Sequence, residues 1–284
     1  MNSPAQVEAS AEGLTARHGA VTLFAYHLGD DLPRHLAPRP YFHPLRTLSG
    51  LAVTDHQPSD HRWHLGLAYS WPVVNGWNFW GGPTFSRDQL RYVDLDNHGR
   101  VRHLGWAGAD QELEWLDPKG ERVATERRSL ATAVDETRSL WWLTLRTVIE
   151  NQGATSLRLG SPTTEGRPLA GYAGLAWRGS ELMRGAQVLI DRPSPEREPM
   201  GRRSRWLACV GEGATVAFVE DPANAGAPNR WFVRTLDYPL VTSSPVFDQP
   251  LHLAPGATLR LGHSILIADG RWDADRLHDA LDSL

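Results

Sequence analysis

Two neighbouring stretches decide the fold: Arg122–Val134 (RVATERRSLATAV) and Arg138–Glu150 (RSLWWLTLRTVIE). In the second, Leu140, Trp142, Leu145 and Val148 fall at spacings that a helix could use, but the β-branched and aromatic content favours a strand. Ten further short apolar or alternating runs lie on either side: Ala20–Leu28, His64–Trp71, Arg100–Gly105, Glu112–Leu116, Ser156–Gly160, Ala186–Ile190, Arg205–Val210, Thr215–Glu220, Arg230–Thr235 and Thr258–Ala268. Turn clusters such as Asp96-Asn97-His98-Gly99, Asp117-Pro118-Lys119-Gly120, Asn151-Gln152-Gly153 and Ala254-Pro255-Gly256 separate them. Only Ala274–Leu284 carries a helical period, with Leu277, Leu281 and Leu284 on one stripe. Strand after strand with no interleaved helix means antiparallel sheets packed face to face. The expectation is an all-β protein: a large antiparallel β-sandwich with a short C-terminal helix. Residues 16–284 form its single domain, residues 1–15 a flexible N-terminus, and the Pro-rich Asp191–Gly201 an exposed loop.

Composition narrows the partners. The 284 residues carry a net charge of −4 with no basic block, which leaves no electrostatic footprint for nucleic acid. The longest apolar runs, about ten residues, are too short to span a bilayer. A single cysteine, Cys209, cannot form an internal disulfide, and it lies in an apolar strand as inert core. The N-terminus lacks an apolar signal segment, so the expected location is cytoplasmic. Oligomeric state is left open. Two surpluses call for an account: 12 Trp, and 12 His of which seven lie between His18 and His64.

The histidines gather in an unusual segment: Arg39–Thr47 (RPYFHPLRT), Thr54–Gly66 (TDHQPSDHRWHLG) and Val74–Gly82 (VNGWNFWGG). Loops this rich in His, Asp, Arg and Trp are costly to bury without partners, and loops on a rigid scaffold are where function concentrates. His61 and His64 are three apart, so they converge only if a turn lies between them. Otherwise each is a hydrogen-bonded structural residue. Trp63, Trp77 and Trp80, mixed with Asn78 and His, suit a polyhydroxylated ligand, because indole faces stack on the C–H face of a sugar. Trp106, Trp115, Trp141, Trp142 and Trp206 fall in strand patterns and are assigned to the core.

Two later stretches complete the candidate set. In Gly160–Arg167 (GSPTTEGR) and Gly171–Gly179 (GYAGLAWRG), Glu165 is a candidate general base, with Arg167 or Arg178 binding an anion or an oxygen-rich ligand. The plainer alternative is a Glu–Arg surface pair. In Val219–Arg234, a polar loop ending at Arg230-Trp231 is expected to line the same cleft, or to cover Trp231 as packing. Asp94-x-Asp96-x-His98-Gly99 begins like a calcium loop, but no Glu follows at the required place, and it reads as a hairpin turn. No metal-site or nucleophile spacing is present.

At these stretches the chain resembles a family of bacterial proteins labelled "methane oxygenase PmoA". The matching pieces are PYFHPLRT (40–47), DHRWHLGL (60–67), VNGWNFW (74–80), PTTEGR (162–167), GYAGLAWRG (171–179), VEDPANAGAPNRWFVR (219–234) and FDQPLHLAPGATLRLGHSILIADG (247–270). The resemblance implies His at His43, His61 and His64. It implies a His-Pro pair where this chain has Asp221-Pro222. Taken at its word, the label implies a soluble metal-dependent oxygenase with those three histidines as ligands. More loosely, the strand series with Val148–Gly153 leading into Leu157-Arg158-Leu159 resembles the galactose-mutarotase-like supersandwich. That likeness implies carbohydrate chemistry by fold analogy alone.

The leading reading is a carbohydrate-active enzyme performing acid/base chemistry on a sugar or keto-sugar. His61 or His64 acts as acid or electrophile and Glu165 as base. His43, Arg46, Trp63, Trp77, Asn78, Trp80, Arg167, Arg178 and Trp231 bind substrate, Arg46 and Arg178 stabilising developing negative charge. The cofactor is open, a divalent metal being one option. The alternatives are a non-catalytic sugar-binding or regulatory module, and the oxygenase.

Overall fold

The Leu140–Asn151 strand lies at the centre of its sheet. It pairs with Arg122–Asp135 on one side and Thr258–Asp269 on the other, both antiparallel. Its alternation explains why a strand can look helical in sequence. Trp141, Leu143, Leu145 and Ile149 point into the main core, while Leu140 and Trp142 point the other way into a second apolar layer. The C-terminal helix Ala274–Leu281 covers that second layer with Leu277, Ala280 and Leu281. Both faces are apolar because both are covered. These observations come from a computed structural model, which describes residues 4–191 and 199–281.

Among the described residues, the molecule is an all-β antiparallel multi-sheet sandwich with one short α-helix at its C-terminal end. The first sheet runs Gln187–Ile190, Trp206–Val210, Ala214–Glu220, Thr258–Asp269, Leu140–Asn151, Arg122–Asp135, Asp110–Leu116, Arg100–Ala107. The larger sheet runs Gln6–Ser10, Gly13–His18, Val21–His27, Tyr41–Leu45, Leu67–Val74, Gly174–Arg178, Leu240–Ser244, Arg230–Arg234. Three short strands extend it: Trp77–Phe79 and Leu157–Gly160 pair with Leu67–Val74, and Leu251–Leu253 pairs with Leu157–Gly160. No helix of the described residues is long and apolar enough to cross a membrane.

All twelve strands read from the sequence are present, with ends shifted by a few residues at most. Most of the other strands are short or polar, but Gly174–Arg178 and Leu240–Ser244 are wholly buried. Gln6–Ser10 and Gly13–His18 form a hairpin at the edge of the larger sheet, where a mobile N-terminal stretch was expected. Gln6–Ser10 is exposed throughout, so it carries no apolar alternation to read. Asp94–Gly99 is not a hairpin turn. It follows the small hairpin Thr84–Ser86/Arg91–Val93, and His98 is fixed by its ring nitrogen Nε2 to the Gly82 carbonyl at 2.7 Å. Residues 192–198 of the Pro-rich loop and Leu284 lie outside the described residues.

Between the sheets runs a buried polar layer. Glu126 accepts from Arg128, Thr147 and Trp115. Arg128 also donates to the Tyr26 hydroxyl and lies over the Tyr69 ring. Tyr69 Oη meets His263 Nδ1 at 3.0 Å, and His263 Nε2 meets Ser243 Oγ at 3.0 Å, which in turn bonds Glu220. Each group is satisfied by another, as burial requires. The outer face of the larger sheet is different: Ala176, Phe232 and Leu240 face outward and pack under Trp80 and Phe247. That face carries the site.

Candidate functional site

The sequence Pro58–His64 closes on itself as two overlapping turns. His61 N bonds the Pro58 carbonyl at 3.1 Å, and His64 N bonds the His61 carbonyl at 3.0 Å. This supplies the turn that convergence of the two histidines requires. Their imidazoles stack in parallel, 4.6 Å between centroids and 7° between planes.

Asp60 and Arg178 set the protons. Asp60 Oδ2 lies 2.8 Å from His61 Nδ1, and Asp60 Oδ1 accepts from Arg178 Nη2 at 2.8 Å. Arg178 Nη1 lies 3.4 Å from His64 Nδ1, a long hydrogen bond. A carboxylate only accepts and a guanidinium only donates. His61 therefore carries its proton on Nδ1, and in the neutral ring its Nε2 lone pair is free. His64 must accept at Nδ1, so its proton is on Nε2. Among the described residues neither Nε2 has a hydrogen-bond partner, and both residues line the cleft. Burial works to raise the Asp60 carboxyl, but the hydrogen bonds from His61 and Arg178 overcome it and hold it at about 2. Burial, then the neighbouring His61 and Arg178, push the His64 imidazole well below its ordinary range, so this ring stays neutral.

The loop is held from beneath. Buried Arg39 donates to the carbonyls of Leu36 (2.9 Å), Ala37 (2.8 Å) and Trp63 (3.0 Å) and to Ser70 Oγ (2.8 Å). Gly81 and Gly82 both have positive φ, and a side chain on Gly82 would lie 2.3 Å from the Trp63 ring, so glycine lets the indole lie against the backbone. Asn78 locks the same turn: its Oδ1 accepts from Trp80 N and Gly81 N at 2.8 Å, and its Nδ2 donates to Gly82 O at 3.0 Å.

The result is a cleft of about 280 Å³ with an aromatic wall. Trp80 packs against His64 and Tyr172, Tyr172 against Phe232, and Tyr238 against His61. Arg178 lies over the Tyr238 ring at 4.7 Å and Arg167 over the Tyr92 ring at 4.8 Å. Volume alone does not choose the site. A hollow of about 700 Å³ beside Thr144, Arg146 and Asp221 is larger, but no Trp, Tyr or Phe lines it.

Of the residues singled out in the sequence, His61, His64, Trp63, Trp80 and Arg167 line this cleft, with Arg178 directly behind the histidines. The others lie elsewhere. Glu165 is outside the lining, its carboxylate engaged by Arg158 and, at 3.4 Å, by Arg87. Arg46 donates to the Gly50 carbonyl at 3.0 Å. Trp77 packs on the main core, and Trp231 is sealed in it with its Nε1 on the Ser204 carbonyl. Strand alternation sends Phe232 and Arg234 to the cleft instead. Asn78 is buried as a turn lock and touches no cleft surface. Trp106, assigned to the core, is 36% exposed on an edge strand. Cys209 is core, its thiol pushed up to about 12 by burial.

His43 belongs to a different group. Its Nδ1 meets Thr54 Oγ1 at 3.1 Å, and its ring stacks on His56, which stacks on Tyr41, which stacks on His27. His43, His61 and His64 therefore do not converge as one ligand set. No group of three or more His, Cys, Asp or Glu among the described residues is arranged to hold a metal ion. Sequence reasoning missed Asp60, Tyr92, Tyr172, Arg234 and Tyr238. Asp60 had a readable signal, since it directly precedes His61. The tyrosines come from three separated segments, a small hairpin strand and two loops, and had none.

Fold and site together define an antiparallel β-sandwich with an aromatic, histidine-bearing cleft on the outer face of its larger sheet. The chain belongs to a family of unknown function, DUF6807, whose match covers residues 13–282. No curated protein matches its sequence. Among solved structures it is distantly similar to carbohydrate-active enzymes. One is a polysaccharide lyase, with 9% identity and a TM-score of 0.43 over 99% of this chain and 34% of that one. Another is an alpha-galactosidase from Lactobacillus brevis, with 10% identity and a TM-score of 0.41 over 100% of this chain and 41% of that one. A third is a GH36 alpha-galactosidase from Geobacillus stearothermophilus, with 13% identity and a TM-score of 0.33 over 95% and 41%. The chain thus spans well under half the length of each.

Proposed function

We propose that this protein is a carbohydrate-active enzyme that moves a proton on a sugar or keto-sugar held in the Trp63–Trp80 cleft. The observation that supports this most is the stacked His61–His64 pair, whose free Nε2 atoms have opposite character. A sugar ring laid on the indole and phenol faces is positioned by its C–H surface. His61 Nε2, its partner nitrogen fixed by Asp60, takes a proton from carbon beside a carbonyl or from a hydroxyl. His64 Nε2–H donates to the oxygen on which negative charge grows, with Arg178 behind it. In this scheme the Asp60–His61 pair takes the base role that the sequence had suggested for Glu165. A metal-dependent oxygenase would need converging ligands, and His43, His61 and His64 do not converge. The likeness to the supersandwich supports the sugar reading by fold analogy alone.

The test is incubation with aldoses, ketoses and uronates in deuterated water, read by proton NMR. The expected result is deuterium incorporated at a sugar carbon, abolished by His61→Asn. Sugars that bind in titration without exchange, bond cleavage or isomerisation would make the protein a binding module and overturn the proposal.

A further inference from the structure

The charges around the cleft do not balance. Arg167 and Arg234 line it, and Arg178 and Arg39 lie immediately behind. Among the described residues, two carboxylates stand against these four guanidinium groups. Asp60 is already shared between His61 and Arg178. Asp237, whose side chain is 78% exposed, lies 3.7 Å from Arg234. No Asp or Glu lines the cleft itself.

The individual arginines show the same deficit. Arg39 is buried, and every partner of its guanidinium is a neutral oxygen. Buried guanidinium groups ordinarily pair with a carboxylate. Arg167 rests on the Tyr92 ring and donates to the Tyr92 hydroxyl, with no ion pair among the described residues. The Nε atoms of Arg178 and Arg234 are buried without a hydrogen-bond partner, although the Arg178 side chain is only 6% exposed. Both Nε atoms are closed off from solvent, so what a ligand can meet is the remainder of the Arg167 and Arg234 guanidinium groups, whose residues line the hollow. The chain as a whole is net −4, so this local excess runs against the global sign.

We infer that the cleft takes an anionic ligand, a sugar bearing a carboxylate, with the acid group seated between Arg167 and Arg234. This rests on the sugar reading above for the ring and on the charge imbalance for the acid. The two arginines flank one aromatic floor: Arg167 bonds Tyr92, whose hydroxyl meets that of Tyr172 at 2.7 Å, Tyr172 packs on Phe232, and Arg234 lies over the Phe232 ring. A guanidinium fork matches a carboxylate in shape as well as in charge. Trp80, which packs on Tyr172, lines the same hollow as both arginines.

Titration calorimetry at low salt tests this with D-glucuronate and D-galacturonate against D-glucose and D-galactose, and with inorganic phosphate as a charge-only probe. The expected result is about tenfold or greater preference for each uronate over its neutral counterpart, shrinking as salt is added. In the Arg167→Gln/Arg234→Gln double variant, with thermal melts confirming the fold, the preference falls below about threefold. Neutral and acidic sugars binding equally well to the unmodified protein would overturn the charge inference and leave the sugar reading standing. Phosphate binding without any sugar would uphold the charge and remove the sugar. Silence from every probe would overturn both.

Discussion

The outer cleft and the polar layer between the sheets are built from the same residue types and behave in opposite ways. Both contain His, a carboxylate, Arg and Tyr. Between the sheets every one of these groups is closed on another: Glu126 accepts from Arg128, Thr147 and Trp115, and His263 bridges Tyr69 and Ser243. In the cleft, His61 and His64 each spend one nitrogen on the protein and keep the other for whatever enters. The inner layer is structural because nothing there is left over. The difference shows that residue type is a poor guide to a site, and that unspent hydrogen-bonding capacity beside a hollow is a better one.

The largest effect that would break this comparison is on chemistry. Asp60→Asn can no longer fix the His61 proton on Nδ1, so deuterium exchange of a sugar substrate should fall by about 10²- to 10⁴-fold. Some stability should be lost as well, because Asp60 is the carboxylate partner of Arg178, whose side chain is only 6% exposed, so melts are run beside the exchange assay. The matching change inside is on stability. Arg128→Met leaves Glu126 buried without its cation and should cost about 3–5 kcal/mol in chemical denaturation, with most of the loss recovered by adding Glu126→Gln. If Arg128→Met were neutral, the inner layer would not be the closed network described.

Acid should act on the buried imidazoles of both regions, and His64 shares the direction of His263 and His43. Burial depresses His263 to about 3 and His43 to about 4, from 6.5. Below pH 6.5 the unfolded chain takes up these protons and the folded chain does not. Stability present above pH 6.5 is therefore lost as the pH falls toward 4, at about 1.4 kcal/mol per pH unit for each such proton. His263→Gln should flatten that slope in urea titrations across the same window. An unchanged slope would show that His263 is already protonated in the fold. Smaller still, Trp63→Ala should weaken sugar binding about five- to tenfold through lost stacking. Glu165→Gln should alter turnover by less than about twofold, since its carboxylate serves Arg158 and Arg87. A large loss there would restore Glu165 to the reaction.

The fold was more legible in sequence than the site, for a physical reason. A strand writes its own signal: Leu140–Asn151 alternates between two covered faces, and its composition alone identifies it. A cleft is assembled from loops distant in sequence, so its membership depends on where each loop lands. His61, His64 and Trp63 were readable because a single turn carries them all. Trp231 was misread by one position, since alternation buries it and presents Phe232. Arg46, Trp77 and Asn78 have the right chemistry, but their hydrogen bonds and packing are spent on holding the scaffold. Tyr92 comes from a small hairpin strand and Tyr172 and Tyr238 from two separate loops, and no local pattern unites them.

The claim on which the rest depends is that Asp60 and Arg178 hold the two stacked imidazoles in opposite protonation patterns. Nitrogen-15 NMR of protein labelled in its histidine rings, assigned with His61→Asn and His64→Asn, measures this directly. The account predicts a proton on Nδ1 of His61 and, at neutral pH, on Nε2 alone of His64. A proton on Nδ1 of His64, or a bare Nδ1 on His61, would contradict it.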